Sequence, residues 1–280
     1  MKHFYHYCLI ISAYIFLCTS VHAHDYVTIA ILAKDKAHTL PFYLACIEKQ
    51  TWPKKQTYLY IRTNNNTDDT RTILRDWATK VEKEYAHIYF DDADVPEKVE
   101  QYKQHEWNGI RFKVLGKIRQ DSVNWAREHH SHYFVADCDN FIVPDTIERL
   151  VNTHLPIVAP FLTCTTNQHY SNYHHAIDHN GYYAPSSLYY DIYSQEIKGL
   201  IELPVVHCTY LIRHEILNKI TYDDDSWRYE YVIFSHSARQ QNIPQYLDNR
   251  KIYGLISFAE TQEEFNEEKP LLDGFFSTAS

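Results

Sequence analysis

Three observations predict an α/β fold with a mostly parallel sheet flanked by helices. Apolar runs of strand length alternate with helical patterns through the first half of the 280-residue chain. The run 27–33 is apolar almost throughout, as a strand covered on both faces is. The strand Tyr133-Phe134-Val135-Ala136 runs straight into Asp137-Cys138-Asp139-Asn140, so two carboxylates stand at the carboxyl edge of a sheet, where open α/β folds bind their ligands.

After the first strand a helix is expected over about 39–50, with Pro41 accommodated in its first turn. A strand over 57–62, a polar loop over 64–69 and a helix over about 70–83 follow, an order that argues for right-handed crossovers. A short strand at 87–90 leads to an acidic, polar connection over 91–109. Ile110, Val114, Ile118 and Trp125 then recur at helical spacing through about 110–129. Beyond the two aspartates, Pro144-Asp145-Thr146 opens a helix through about Val151, and 157–162 reads as one strand. Residues 163–203, rich in Tyr, His, Asn and Ser without periodicity, read as an elaborated binding region. A strand over 204–212, a short helix near 213–218, an acidic loop at 223–227, a helix over about 230–241 and a strand at 245–248 complete the order. The acidic stretch 260–268 is expected to be peripheral. No repeat or Pro/Gly/Ser linker divides the chain, so 24–280 is read as a single domain.

The first 23 residues carry a short apolar run ending on Val21-His22-Ala23, the pattern of a secretory signal cut after Ala23. An uncleaved anchor is the alternative, and only then would the chain meet a membrane. Loss of that segment removes Cys8 and Cys18 and leaves Cys46, Cys138, Cys164 and Cys208. These lie in apolar runs without the spacing of a disulfide scaffold or zinc site, so mostly buried thiols are expected, with at most one bridge. Asn65-Asn66-Thr67 is a glycosylation sequon. The net charge of -9, with no basic run, excludes nucleic acid as a natural partner. His129-His130 and His174-His175 lack carboxylates at ligand spacing and read as solvated pairs.

Side chains at i and i+2 of an extended segment point the same way, so Asp137 and Asp139 can share one divalent cation while Cys138 faces the packed side. Hard carboxylate oxygens suit Mg²⁺ or Mn²⁺ with coordination sites left for phosphate oxygens. The chemistry this suggests is transfer from a nucleotide diphosphate.

Several segments together resemble one family. They are Ala33; Asn66 and Thr70 before Leu74-Arg75-Asp76-Trp77; Lys117-Ile118-Arg119-Gln120; Asp137-Cys138-Asp139-Asn140; Val158-Ala159-Pro160; Tyr170-Ser171-Asn172; Gly181-Tyr182-Tyr183; and Val206-His207. In order and spacing they resemble the N-terminal glycosyltransferase domain of the procollagen galactosyltransferases, over roughly Val27 to Leu255. The resemblance implies a GT-A-like (Rossmann-like) fold with a mixed, mostly parallel sheet, a UDP-sugar donor such as UDP-galactose, and Mn²⁺ held by the aspartates. It also implies work in the secretory pathway, in the endoplasmic reticulum lumen or after secretion, although Phe275 to Ser280 form no retrieval signal. Two departures stand out. Relatives carry a second glycosyltransferase domain after this one, and they tend to have Asp at the position of Asn64 and paired Asp at Tyr229-Glu230.

On this reading Asp137 and Asp139 hold the cation, and His207 is a candidate third metal ligand or, alternatively, a buried histidine bonded to backbone. Glu230, at a helix start, is the candidate general base, with favourable placement in the macrodipole as the alternative. Asp224 and Asp225 are fallback bases. Lys117 and Arg119 are candidates to bind the diphosphate or nucleotide, and Asn64 the uracil or ribose. Trp227 and Tyr229 are candidates to stack on a sugar or to pack in the core. The activity expected is metal-dependent, inverting transfer of a hexose, galactose first, to a protein or glycan hydroxyl, collagen-like hydroxylysine among them. A catalytically weak sugar-binding or adhesion module is the alternative. A metal-dependent hydrolase fits less well, because no histidine-rich ligand set accompanies the aspartates.

Overall fold

The computed structural model describes residues 26–97, 108–166 and 169–278. The expected signal segment and its cut after Ala23 lie outside the described residues, as does the 98–107 part of the acidic connection. Among the described residues no helix is long and apolar enough to cross a membrane.

The chain opens with β1 (Val27–Ala33), buried on both faces, and α1 (Leu40–Glu48), whose Pro41 sits in the first turn, where a missing N–H costs nothing. β2 (Thr57–Thr63) leads to α2 (Thr70–Val81), which buries Leu74, Trp77, Ala78 and Val81 on one stripe. β3 (His87–Asp91) precedes α3 (Gly109–Glu128), whose Asn108 side chain accepts from the N–H groups of Ile110 and Arg111 and so caps the helix. β4 (His132–Ala136) delivers the two aspartates, and β5 (Asn140–Ile142) follows them at once. α4 (Thr146–Asn152), β6 (Ile157–Pro160) and β7 (Leu162–Cys164) come next.

The region expected to be irregular holds β8 (Tyr173–His174), β9 (Ala176–Ile177), β10 (Tyr183–Ala184), α5 (Ser187–Tyr193) and β11 (Leu200–Leu203). β12 (Val205–Val206), β13 (Thr209–Ile212), a 3-10 turn at His214–Lys219, α6 (Glu230–Gln240), β14 (Gln245–Asp248), β15 (Gly254–Ile256) and α7 (Gln262–Thr278) complete the chain.

Eight strands form one sheet in the order β11-β14-β6-β13-β4-β1-β2-β3. The pairs β1–β2, β1–β4, β2–β3 and β6–β14 are parallel, whereas β13 runs antiparallel to both β4 and β6 and β11 antiparallel to β14. The sheet is thus mixed and mostly parallel. Strand alternation divides the core between its faces: Ile29, Ile31 and Phe134 pack with α1 and α2, while Ala30, Tyr133 and Val135 pack with α3 and α6.

Three expectations are corrected. The run 157–162 breaks at Phe161 into β6 and β7, which belong to different sheets, and 204–212 breaks at His207-Cys208 into β12 and β13. The acidic stretch is not peripheral: α7 buries Phe265 and Leu272 in the core, while Glu263, Glu264 and Glu267 are exposed. All four cysteines among the described residues are free thiols.

Candidate active site

Parallel register lines up the ends of β1, β2 and β4, pairing Ala33 with Thr63 and Ala30 with Val135, so the loops after these strands share one edge. Those loops brace one another. The Asp35 N–H donates to Asn66 Oδ1 at 3.1 Å, the Thr67 N–H to Asp35 Oδ1 at 2.6 Å, and the Lys36 N–H to Thr70 Oγ1 at 2.7 Å. Asn66 and Thr70, two of the residues that carry the family resemblance, thus hold the edge together.

Asp137 and Asp139 emerge on that edge, each met by a cation. Arg119 Nη2 donates to Asp137 Oδ1 at 2.6 Å, and Lys36 Nζ donates to Asp139 Oδ2 at 2.7 Å. Burial works against charge on both groups. It pushes the Asp137 carboxyl above its usual range, with Arg119 pulling it back and Asp139 adding to the rise. On Lys36 the neighbouring Asp139 outweighs burial and raises the ammonium's pKa. Cys138 is buried against the core, but the segment is a turn and not the extended run expected, closed by the Asn140 N–H donating to the Asp137 carbonyl at 2.8 Å. Downstream the segment is pinned by the Ser257 N–H, which donates to the Asp139 carbonyl at 2.9 Å, and by Gly254, where a Cβ would fall 1.9 Å from the Phe141 carbonyl oxygen. Only glycine lets β15 approach β5 this closely.

Arg119 also reaches Glu230, the first residue of α6, with Nε 3.6 Å from Oε1. Close packing of α3 near this point depends on Gly116, whose Cβ would meet the Tyr222 carbonyl oxygen at 2.8 Å and the Glu230 Cβ at 3.4 Å. Burial pushes the Glu230 carboxyl up to about 7, Arg119 opposing the rise and Asp137 adding to it. Glu230 Oε2 and Arg119 Nη1 are buried without a hydrogen-bond partner among the described residues. A carboxyl that ionises near neutrality, two steps along an ion-pair chain from Asp137, has the character of a general base.

His207 lies at the break between β12 and β13. The Thr209 N–H donates to the His207 carbonyl at 2.6 Å across Cys208, whose φ is +63°, which is a tight γ-turn with a left-handed non-glycine centre. The Cys208 carbonyl in turn accepts from the Asp137 N–H at 3.0 Å, so this strained turn is fastened to the aspartates. His207 is buried, its Nδ1 2.9 Å from Cys208 Sγ and its Nε2 without a hydrogen-bond partner among the described residues. Burial, then His174 and Arg119, hold its pKa well below the usual value, so the imidazole is neutral.

The remaining candidates are placed less centrally. Asn64 is buried at the end of β2 and donates to Asn65 Oδ1 at 2.9 Å. Lys117 projects from a different face of α3 than Arg119 and lines a groove of about 760 Å³ with Tyr60, Tyr89, Trp125, Lys113 and Asp121. Trp227 is 66% exposed, with Lys113 Nζ 3.9 Å from its ring centroid. Tyr229 stacks on Phe112 at 3.8 Å, which covers one of its faces. Asp224 is taken by Arg228 at 2.7 Å and by Ser226, which weakens it as a base. Asn65 of the sequon has φ +46°, and its amide donates to the Val95 carbonyl at 3.2 Å, so the acceptor nitrogen is engaged. Sequence reasoning missed Lys36 and the Asp35 brace, because neither sits in a motif and their partners lie about 30 or more residues away.

Among the described residues no three His, Cys, Asp or Glu side chains are gathered closely enough to hold a metal ion, so His207 does not form a ready cluster with the aspartates. Asp137 and Asp139 are instead compensated by Arg119 and Lys36. The residues nonetheless fit a divalent cation shared with a substrate. Asp137 Oδ2 and Asp139 Oδ1 have no partner among the described residues, and Mg²⁺-like ions are commonly held by one or two carboxylates plus phosphate oxygens.

Comparison with known proteins bears on the same residues. A family model described as "Glycosyltransferase family 25, N-terminal domain" matches residues 24–270. The chain is 34% identical to procollagen galactosyltransferase 2 of Homo sapiens, over 82% of this chain and 38% of that protein. It is 32% identical to procollagen galactosyltransferase 1 of Danio rerio, over 81% of this chain and 39% of that protein. Inactive glycosyltransferase 25 family member 3 of Mus musculus is 28% identical, over 87% of this chain and 43% of its own length. The chain thus spans about two fifths of the length of these relatives. Among solved structures, S. aureus TarS 1-349 in complex with UDP-GlcNAc matches with TM-score 0.55 at 14% identity, covering 89% of this chain and 66% of that one. Mannosyltransferase PcManGT from Pyrobaculum calidifontis, in complex with GDP-Man and Mn²⁺, matches with TM-score 0.50 at 14% identity, over 82% of this chain and 56% of that one. At that identity the likeness shows the fold, which is GT-A.

Proposed function

Because the chain belongs to glycosyltransferase family 25, we propose that it transfers a hexose, galactose first among the candidates, from a UDP-sugar to a protein or glycan hydroxyl with inversion at the sugar carbon. The observation that carries the reading is the ion-pair chain Asp137–Arg119–Glu230, which ties a partly exposed metal-type carboxylate to a buried carboxyl that ionises near neutrality. Support for the donor comes from the fold neighbours, which were solved in complex with UDP-GlcNAc and with GDP-Man and Mn²⁺. Hydroxylysine of a collagen-like chain is the acceptor to try first, given the names of the relatives. We place its work in a secretory compartment, a reading supported by the procollagen in the relatives' names and by the apolar run near the N-terminus.

In this reading Asp137 and Asp139, with His207 the candidate further ligand, would hold Mn²⁺ or Mg²⁺, and that ion would supply charge neutralisation for the leaving diphosphate. Asn64 at the β2 edge orients the nucleoside, and Lys117 meets the donor only from the groove side. Arg119 keeps Asp137 ionised and aimed. Glu230 accepts the proton of the acceptor hydroxyl as that oxygen bonds to the sugar carbon, while the bond to the diphosphate breaks with its electron pair.

A second reading, a weakly active module that keeps sugar binding, draws on two observations: relatives named inactive, and the Asp139 carboxylate already occupied by Lys36. Two variants separate the readings. Glu230→Gln is expected to keep UDP-sugar binding and lose transfer by about 10²-fold or more, whereas Asp139→Asn is expected to lose Mn²⁺-dependent donor binding. Transfer at the wild-type rate in Glu230→Gln would remove the base assignment.

A further inference from the structure

We propose that the Lys36 ammonium is a tethered counter-ion that competes with a divalent ion for the Asp139 carboxylate and swings away as that ion binds. The inference rests on the reading of Asp137 and Asp139 as the metal-type carboxylates. Lys36 Nζ lies 2.7 Å from Asp139 Oδ2, and the two side chains are only 18% and 22% exposed. The backbone aims the ammonium: the Lys36 N–H is held by Thr70 Oγ1 at 2.7 Å, and its carbonyl accepts from Thr39 and Leu40 at 3.1 and 3.0 Å. No other cation reaches Asp139 among the described residues, since Lys34 pairs with Asp35.

With Arg119 on Asp137 and Lys36 on Asp139, each carboxylate is already neutralised, and a divalent ion approaching the pair gains little until one cation leaves. Arg119 is 4% exposed and wedged between Asp137 and Glu230, so it is fixed. Lys36 is the movable partner, because its charge rides on a flexible four-carbon stem at the rim of the edge. Once displaced it remains beside the aspartates, where a diphosphate would meet its charge. The device is legible only in three dimensions, because 103 residues separate its two members.

The test is a Mn²⁺ titration of the full-length protein, read by the electron paramagnetic resonance of the free ion without any nucleotide sugar, on wild type and Lys36→Met. Methionine keeps the apolar stem and leaves the backbone hydrogen bonds of position 36 intact; Lys36→Gln serves if it does not fold. Removing the competing charge is expected to tighten Mn²⁺ binding by roughly tenfold or more. Equal affinity in the two proteins, or weaker binding in the variant, would overturn the proposal. Because no sugar is transferred in this measurement, its outcome is independent of whether the transferase reading holds.

Discussion

Glu230 shows how one buried residue sets a pH dependence. Its carboxyl ionises at about 7 in the fold against an ordinary 4.5, so the native protein holds the proton more tightly than the unfolded chain does. Ionising it therefore lowers stability as pH rises from 4.5 to about 7, the window in which the basic form appears. The rate of transfer is expected to climb through pH about 7 and level off above it, and Glu230→Gln should abolish that limb while raising the melting temperature at pH 8 relative to wild type. A rate flat from pH 5 to 8 would contradict the role. At this scale Asp137, Asp139 and Glu230 are legible in the sequence, the first two as a carboxylate pair after an apolar strand and the third as a carboxylate at a helix start. Lys36 and the pairing of Arg119 with both acids are not. A single lysine in a loop and one cation among several on α3 acquire meaning only when the crossover brings them to the aspartates.

Among the elements, those with a single clear period are read correctly. α2 and α3 carry helical stripes, and β1 and β2 are near-continuous apolar runs, with observed bounds within two residues of those expected for each. The failures fall where one apolar run serves two sheets. In 157–162 and 204–212 hydropathy is continuous, and the breaks at Phe161 and at the Cys208 γ-turn are set by backbone geometry that hydropathy does not encode. The second break is the informative one, because the turn it makes is fastened to the Asp137 N–H through the Cys208 carbonyl. α7 is obscured by its charge: glutamates crowd its first half, while Phe265 and Leu272, seven residues apart, form the buried stripe. Leu272 is fully buried, so Leu272→Ala is expected to destabilise by about 2–5 kcal/mol in a denaturant titration. A loss below about 0.5 kcal/mol would mean that α7 is not part of the core.

For the molecule as a whole, strand–helix alternation makes the parallel half of the sheet predictable, because short crossovers leave few topologies. The antiparallel insertion of β13 between β4 and β6 follows no local pattern, yet it brings the Cys208 carbonyl onto the Asp137 N–H beside the candidate site. The edge that carries the aspartates, the braced loops of β1 and β2, and the α3–α6 contact form one continuous construction, which is the arrangement expected of a donor site at the carboxyl ends of strands. The most direct test of that claim follows release of free UDP from a panel of UDP-sugars, with a hydroxylysine-containing collagen peptide as acceptor, with and without Mn²⁺. Metal-dependent release from UDP-galactose or UDP-glucose, lost in Asp139→Asn, is the predicted result; silence across every donor, or release that Asp139→Asn leaves unchanged, would contradict the account.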